Sequence, residues 1–588
     1  MTDFNTQAID SLNAAQKEAV VSPARYVLVA AGPGSGKTRV LAFRYARLME
    51  GGAAPEKLLA ITFTNRAADE MKARLGAVAG SLRPQHRPDF PNIGTFHKFC
   101  LNLLRKKREF TLIGRPAQET LLKGMGVKNA DKAIEEISAF KNSVSRAAGE
   151  RDKGLLRPES FDLYEAALRE RNSLDLDDLI IEAAGFIEME PDSAPVFSHI
   201  LVDEFQDINQ PQARLVKLLT ASGASLFAIG DPDQSIYAFR GASVERFLEF
   251  GNDYPGAHLI TLDTNYRSTR SIVHASGELI KKNTMRILRP GVTALSAADT
   301  ASDPCGDEAV KVVIAADENG EAEFVLREIE RLMGGLTSLS ASSLARAVER
   351  PYRFSDFVVL VRTNRQADAF KEAFRRSPIP FEVAGNIGPL SIFAEHLRGL
   401  NVDGMDKAAP VDLIKKEAGA FGLSDGFIQP LIGMAESLDR QGRLLDDRQG
   451  NAWLKSFLNA LADSLILMQP ADSLDIEADR VVLMTLHMAK GLEFPVVFIA
   501  GCEDGLVPLR FKGASTDMEE ERRLLYVGMT RARERLYLLN AGRRRIWNEV
   551  RRQSPSPFLK ELGDGSLENI AFAWVMPARR PVQKGLFD

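Results

Sequence analysis

Cysteine is scarce. Cys100, Cys305 and Cys502 stand far apart in 588 residues, with no CxxC pair and no neighbouring histidine pair. That spacing argues against a zinc or iron-sulfur site and suits a reducing compartment. An excess of either charge is lacking too: 75 lysines and arginines meet 79 aspartates and glutamates, for a net charge of -4. There is no global pull toward nucleic acid or acidic lipid, so a polyanion site has to be a local patch. No stretch approaches the roughly 18 apolar residues of a membrane span. The polar start Met1 to Asn5 lacks the charged and apolar regions of a secretory signal. The chain is therefore read as cytoplasmic, with no membrane partner. Solenoid repeats and low-complexity tracts are also missing.

What remains is ordinary globular composition, 45% hydrophobic and 26% charged, in a chain long enough for about three to five domains. Short apolar runs alternate with amphipathic stretches: Tyr26 to Ala30, Leu58 to Thr62, His199 to Val202 and Leu226 to Ile229. A second set follows: Leu259 to Leu262, Val310 to Ile314, Phe357 to Val361, Val481 to Met484, Val496 to Ile499 and Leu536 to Leu539. Runs of this kind predict parallel strands covered on both faces, hence an α/β fold with two similar cores. Two intervals read as helical insertions. Residues 98–172 carry 16 basic and 11 acidic residues, the basic part of the chain, and residues 386–478 include the amphipathic stretch Ala452 to Leu467. Asp299 to Glu323, with eight acidic residues and one lysine, is expected to include a solvated loop.

The first apolar run leads into Ala31-Gly32-Pro33-Gly34-Ser35-Gly36-Lys37-Thr38 and then a helical pattern starting at Arg39. This is the strand, loop and helix order of a phosphate-binding P-loop. Small residues let backbone N–H groups wrap phosphates, Lys37 reaches the terminal phosphates, and the Thr38 hydroxyl suits magnesium. A Gly-rich turn before a helix is the plainer alternative. A second apolar run, His199 to Val202, ends in Asp203 and Glu204. Asp203 is placed to hold magnesium through water, and Glu204 to polarise an attacking water. Together the two motifs indicate hydrolysis of a nucleoside triphosphate with Mg2+.

With these motifs in hand, the chain resembles the UvrD/Rep-like branch of superfamily 1 DNA helicases. The resemblance rests on LNAAQ at Leu12 to Gln16, the P-loop, ITFTNRAADEM at Ile61 to Met71, GTFH at Gly94 to His97 and VDEFQD at Val202 to Asp207. It continues through GDPDQSIYAFRGA at Gly230 to Ala242, NYRS at Asn265 to Ser268, TLHMAKGLEF at Thr485 to Phe494 and EEERRLLYVGMTRA at Glu519 to Ala532. It implies two RecA-like P-loop domains with parallel sheets, each carrying a mainly helical insertion. The boundaries expected are 1–97 with 173–262 for the first core, 98–172 for its insertion, 263–385 with 479–560 for the second core, 386–478 for a reduced second insertion, and 561–588 for a tail.

The resemblance also implies that the nucleotide is ATP, and it implies roles. Gln16 reads the adenine, Tyr266 stacks on it, Glu493 accepts from the ribose, and Gln234 touches the γ-phosphate. Arg267 and Arg531, both assigned to the second core, act as arginine fingers. Phe63, Tyr237 and Phe239 are stacking residues for single-stranded DNA. Thr64, Asn65, Thr95, His97, Arg240, Arg362 and His487 contact its backbone or line the track. The implied partners are single strands and their junctions with duplex, and the implied direction is 3′ to 5′, by a monomer or a DNA-induced dimer.

Three features stand apart. Phe239 replaces the usual tryptophan, and Met488 the usual serine. The insertion at 386–478 is short, which keeps open a translocase that strips proteins with little unwinding; a nucleotide-switched binding module and a helicase-nuclease are weaker alternatives. Basic clusters at Arg105 to Arg108 and at Arg543 to Arg545 with Arg551 and Arg552 are expected either to contact phosphate or to be solvated faces. Finally, Gln583, Leu586 and Phe587 in the terminal QKGLFD resemble a peptide that binds bacterial sliding clamps.

Overall fold

Apolar runs of four to six residues, too short for buried helices, form the centre of two all-parallel sheets. The computed structural model describes residues 9–80, 90–143, 157–287, 293–294, 310–334, 352–385, 388–402, 410–423, 425–445, 451–474, 478–510, 515–546, 549–563 and 568–572. It divides into two units. One comprises 1–267, 285–293 and 384–475; the other comprises 268–284, 294–383 and 476–588.

In the first unit the strands are β1 (Tyr26–Ala31), β2 (Leu58–Thr62), β3 (Ile93–Thr95), β4 (His199–Val202), β5 (Ser225–Gly230) and β6 (His258–Leu262). Their order is β3-β2-β4-β5-β1-β6, all parallel. Each crossover carries a helix over a face, which buries the strands on both sides and explains their unbroken apolar sequence. Leu259 to Leu262, grouped in the sequence with the second set of strands, instead lies in β6, beside β1 and paired from Val27 with His258 to Ala31 with Leu262. β4 and β1 flank β5, so the P-loop and the carboxylates Asp203 and Glu204 emerge at carboxyl ends of nearby parallel strands, where open α/β sheets bind ligands.

The second unit holds β7 (Val310–Ala315), β8 (Phe357–Val361), β9 (Phe381–Val383), β10 (Val481–Thr485), β11 (Phe494–Ile499), β12 (Ala532–Ala541) and β13 (Glu568–Phe572). Their order is β9-β10-β8-β11-β12-β7-β13, again all parallel. β13 falls in the stretch expected to be a tail; its pairing from Lys311 with Glu568 to Ala315 with Phe572 extends the sheet by one strand. Residues 299–309 of the acidic stretch Asp299 to Glu323 lie outside the described residues, and the remainder forms β7 and the start of the helix Glu318–Leu332.

The helical interval after residue 386 departs from the expectation that it belongs with the second core. It groups with the first unit. Leu390, Phe393 and Leu397 of the helix Gly388–Gly399 and Leu458, Leu461 and Leu465 of Asn451–Ile466 are buried in one apolar cluster with Leu104, Phe110 and Leu112. At its edge, Asp463 accepts from Arg105 at 2.7 Å and from Arg398 at 2.5 Å, while Arg398 also donates to Leu112 O at 2.5 Å. Amphipathic periodicity requires a helix to bury one face but does not name the surface that covers it.

Among the described residues no helix is long and apolar enough to cross a membrane. Asp463 is nearly inaccessible to water, and its removal takes from Arg105 its carboxylate and leaves Arg398 paired with Glu395 at 3.0 Å. Breaking a buried ion pair from one side costs about 3–5 kcal/mol. Asp463→Ala should therefore lower hydrogen-exchange protection in Gly388–Gly399 and Asn451–Ile466 at least tenfold; unchanged protection would refute the clamp.

Candidate nucleotide and nucleic-acid site

The P-loop is shaped by backbone that only glycine adopts without strain at two points. Gly34 has φ +65° and Gly36 has φ +85°, both in the left-handed region. A Cβ on Gly34 would lie 2.7 Å from Arg267 Cβ. The loop is closed by Ser35, whose Oγ donates to Gly32 O at 2.7 Å, and by Gln16, whose Nε2 donates to Ser35 O at 2.9 Å. The Gln16 amide is thus a strut of the loop, and its Oε1 also accepts from Asn13 N at 3.1 Å. The helix Lys37–Glu50 begins at the loop and points its positive end into it. Thr38 is half-buried in the first turn of that helix. Arg39 turns away to donate to Ser11 Oγ at 2.5 Å.

Opposite the loop, Lys37 Nζ lies 3.6 Å from Glu204 Oε1. Glu204 is one of two non-glycine residues with positive φ among the described residues, at +48°. Such strain is retained where the surroundings over-determine it, commonly at functional sites. Asp203 is buried, and burial together with the neighbouring Glu204 pushes its carboxyl up to about 7, with Lys37 opposing. Two adjacent carboxylates that disfavour sharing negative charge form a donor set suited to a hard divalent cation. The Asp203 carboxylate and the Thr38 hydroxyl fit magnesium by their chemistry.

The segment Asn265 to Arg267 packs on the P-loop and so belongs with the first unit, not with the second core to which the sequence reading gave Arg267. Asn265 Nδ2 donates to Pro33 O at 2.8 Å, Tyr266 N to Gly34 O at 2.9 Å, and Asn13 Nδ2 to the Tyr266 hydroxyl at 2.7 Å. Tyr266 is 46% exposed. Gln234 is buried and donates from Nε2 to Asp231 Oδ2 at 2.7 Å. In the second unit, Glu493 is paired with Arg533. Arg531 donates to Val527 O at 2.9 Å, Leu492 O at 3.1 Å and Thr530 Oγ1 at 3.1 Å.

The aromatic track assembles within the first unit. Phe63 and Tyr237 are stacked with centroids 5.1 Å apart, Tyr237 and Phe239 follow at 6.0 Å, and the Arg240 guanidinium lies 5.6 Å from both latter rings. Phe239 is 60% exposed. His97 has its pKa lowered to about 4 by burial and by Arg240, which favours the neutral ring.

Several residues expected on the track already have partners. Thr95 caps the helix Phe96–Arg105 by accepting from Lys98 N at 3.3 Å, and Thr64 Oγ1 accepts from Ala67 N at 3.1 Å at the start of Asn65–Gly80. Asn65 donates to Asp472 at 2.9 Å. Arg362 pairs with Glu521 at 2.6 Å. His487 is half-buried in the turn after β10. Of the basic clusters, Arg105 belongs to the Asp463 clamp, Lys107 lies over the Phe186 ring at 4.9 Å, and Arg108 pairs with Glu182 at 3.5 Å. Arg544 is buried between Glu503 at 2.6 Å and Glu321 at 2.8 Å. It anchors a hairpin, Arg543–Ile546 with Glu549–Arg552, on which Arg543, Arg545, Arg551 and Arg552 are exposed. Gln583, Leu586 and Phe587 lie outside the described residues.

Cys100 and Cys502 are buried free thiols that burial holds protonated. The sequence reading passed over Gln206, Asp231, Asp233 and Asn265, which hold the site together from inside motifs that it quoted. Their signal was present only as motif letters, since a buried polar residue looks like any other until its partners are seen.

The comparisons with known proteins agree with this arrangement. A family model described as UvrD/REP helicase N-terminal domain matches residues 12–255. A second, described as UvrD-like helicase C-terminal domain, matches residues 260–389 and 428–542. The chain is 32% identical over 672 residues to the ATP-dependent DNA helicase PcrA of Staphylococcus epidermidis, an alignment covering 95% of this chain and 87% of that protein. It is 32% identical over 691 residues to the ATP-dependent DNA helicase PcrA of Staphylococcus aureus strain MRSA252, covering 99% of this chain and 90% of the relative. With a P-loop facing an acidic pair, an aromatic track in the same unit and matches along nearly its whole length, the chain belongs to the UvrD/REP helicase family.

Proposed function

We propose that this protein is an ATP-dependent DNA helicase that advances on single-stranded DNA from 3′ to 5′ and serves DNA repair or replication restart. The observation that carries the reading is the pairing of Lys37 with Glu204 beside Asp203 in the same unit as the adjoining rings of the half-buried Tyr237 and the exposed Phe239. In this reading, the P-loop amides and Lys37 bind the ATP phosphates, and Glu204 orients and deprotonates the attacking water. Thr38 and Asp203 would hold magnesium, which neutralises phosphate charge when bound. Arg267 and Arg531 are assigned to transition-state charge, and Gln234 to sensing the γ-phosphate.

A nucleotide that favours one of two conformations converts each turnover into a population shift. A strand held alternately by different groups then moves. Bases stacking on aromatic faces provide grip without sequence preference. The arginine hairpin of the second unit supplies phosphate contacts through Arg543, Arg545, Arg551 and Arg552. The terminal Gln583, Leu586 and Phe587 are proposed to seat in a sliding clamp, two apolar side chains filling a pocket with the amide at its rim.

Turnover should be stimulated by single-stranded DNA and abolished in Lys37→Ala, and strand displacement should favour a duplex with a 3′ tail over 5′-tailed or blunt ones. Preference for the 5′ tail would overturn the assigned direction, and full turnover in Lys37→Ala would overturn the assigned site. Base stacking is worth about 1–3 kcal/mol, so Phe239→Ala should weaken single-strand affinity by roughly 5-fold to 100-fold in fluorescence anisotropy. Affinity equal to the unmodified protein would remove Phe239 from the track. Pull-down with a sliding clamp should be lost on deleting the last six residues; equal recovery would remove the clamp from the partners.

A further inference from the structure

We infer that Gln206 is the positioning residue that sets the water-activating Glu204 and ties it to the loop leading to the DNA track. Its side chain is fully buried, so water cannot replace its bonds. The amide nitrogen donates to Glu204 Oε2 at 2.5 Å and to Asp207 Oδ2 at 3.2 Å, while the amide oxygen accepts from Asp231 N at 3.0 Å. The two ends of the amide therefore face opposite chemistry, carboxylates on one side and a backbone N–H on the other, which fixes its orientation.

The second half of the connection runs through Asp231. Its Oδ2 accepts from Gln234 Nε2 at 2.7 Å, and its Oδ1 accepts from Asp233 N at 3.2 Å. The backbone of Gln206 also holds the loop, since Ser235 Oγ donates to Gln206 O at 3.2 Å, two residues before Tyr237. Gly230 leaves room for the amide: a Cβ there would lie 2.1 Å from Gln206 Oε1. One side chain thus joins Glu204 to Asp231, Gln234 and the segment that carries Tyr237 and Phe239. Gln206, Asp231 and Gln234 are buried, so these three cannot trade a partner for solvent, and a displacement of one has to be taken up by the others. Movement of Tyr237 and Phe239 by a bound strand reaches Glu204 through this amide. Glutamate at this position keeps the acceptor for Asp231 N but loses the donor toward Glu204 and adds like charge beside Glu204 and Asp207.

This inference rests on the helicase reading of the same site, and its test separates the two. Steady-state ATP hydrolysis is measured with and without oligo-dT for the full chain and for Gln206→Glu, Gln206→Met and Gly230→Ala. Folding is checked by thermal melting, and nucleotide affinity by a fluorescent ATP analogue. A positioning role predicts that DNA-stimulated kcat falls at least tenfold in Gln206→Glu and Gln206→Met, with KM for ATP and analogue affinity within twofold. The ratio of DNA-stimulated to DNA-free turnover should fall at least fivefold. Gly230→Ala, which displaces the amide while leaving Gln206 in place, should shift that ratio the same way. If the folded Gln206 variants keep kcat and that ratio within twofold of the unmodified protein, or lose activity through a matching rise in KM, the role assigned to Gln206 is wrong. If the unmodified protein itself shows no stimulation by DNA, the helicase reading fails along with it.

Discussion

Negative charge held beside negative charge is the constraint around which the first unit is arranged. Asp203 and Glu204 are adjacent at the end of a central strand, and one of them is buried deeply enough that its ionisation is disfavoured. Such a pair persists only if cationic and hydrogen-bonding groups are brought to it, because an unpaired buried carboxylate is among the most expensive features a fold can carry. Lys37 arrives from the P-loop on the strand β1, Gln206 from the turn that follows the pair, and Asn265 braces the loop from the segment after β6. The parallel order of the sheet makes this convergence possible, since it places the carboxyl ends of β1, β4 and β5 side by side.

The same loop joins two environments. After β5 it carries the buried Gln234, the half-buried Tyr237 and the exposed Phe239, and it is fastened to the turn after β4 through Gln206 and Asp231. In the proposed function, these few residues separate a group assigned to phosphate from rings assigned to bases. The second unit repeats the parallel sheet but closes its own charges differently, burying Arg544 against Glu321 and Glu503 and so supporting an exposed arginine hairpin.

The interval after residue 386 packs as part of the first unit. Its helices Gly388–Gly399 and Asn451–Ile466 share an apolar core with the helices after β3, and the Asp463 pairs with Arg105 and Arg398 close the seam. Asp472, at the end of this insertion, occupies the Asn65 side chain and accepts from Arg66 N at 3.2 Å. The insertion is therefore a structural part of the first unit, and its charged residues complete that unit's own surface.

Local pattern alone determined the strands, the P-loop turn and the acidic strand end, because each is encoded by neighbouring residues whose period and backbone preferences act over a few positions. The expected runs Leu58 to Thr62, His199 to Val202 and Phe357 to Val361 are strands with those bounds. Motif letters also identified the family, since their order along the chain survives whatever the packing. Tertiary structure alone decided that the second insertion sits on the first unit, and that Arg105, Arg362 and Arg544 are engaged by carboxylates. It also decided that Gln206 sits at the junction of two motifs. In each of these cases the deciding partner is distant in sequence, or is specified by the direction of a buried polar side chain. Neither periodicity nor composition carries that information, because charge and amphipathicity say that a group needs a partner without saying which one the fold will bring.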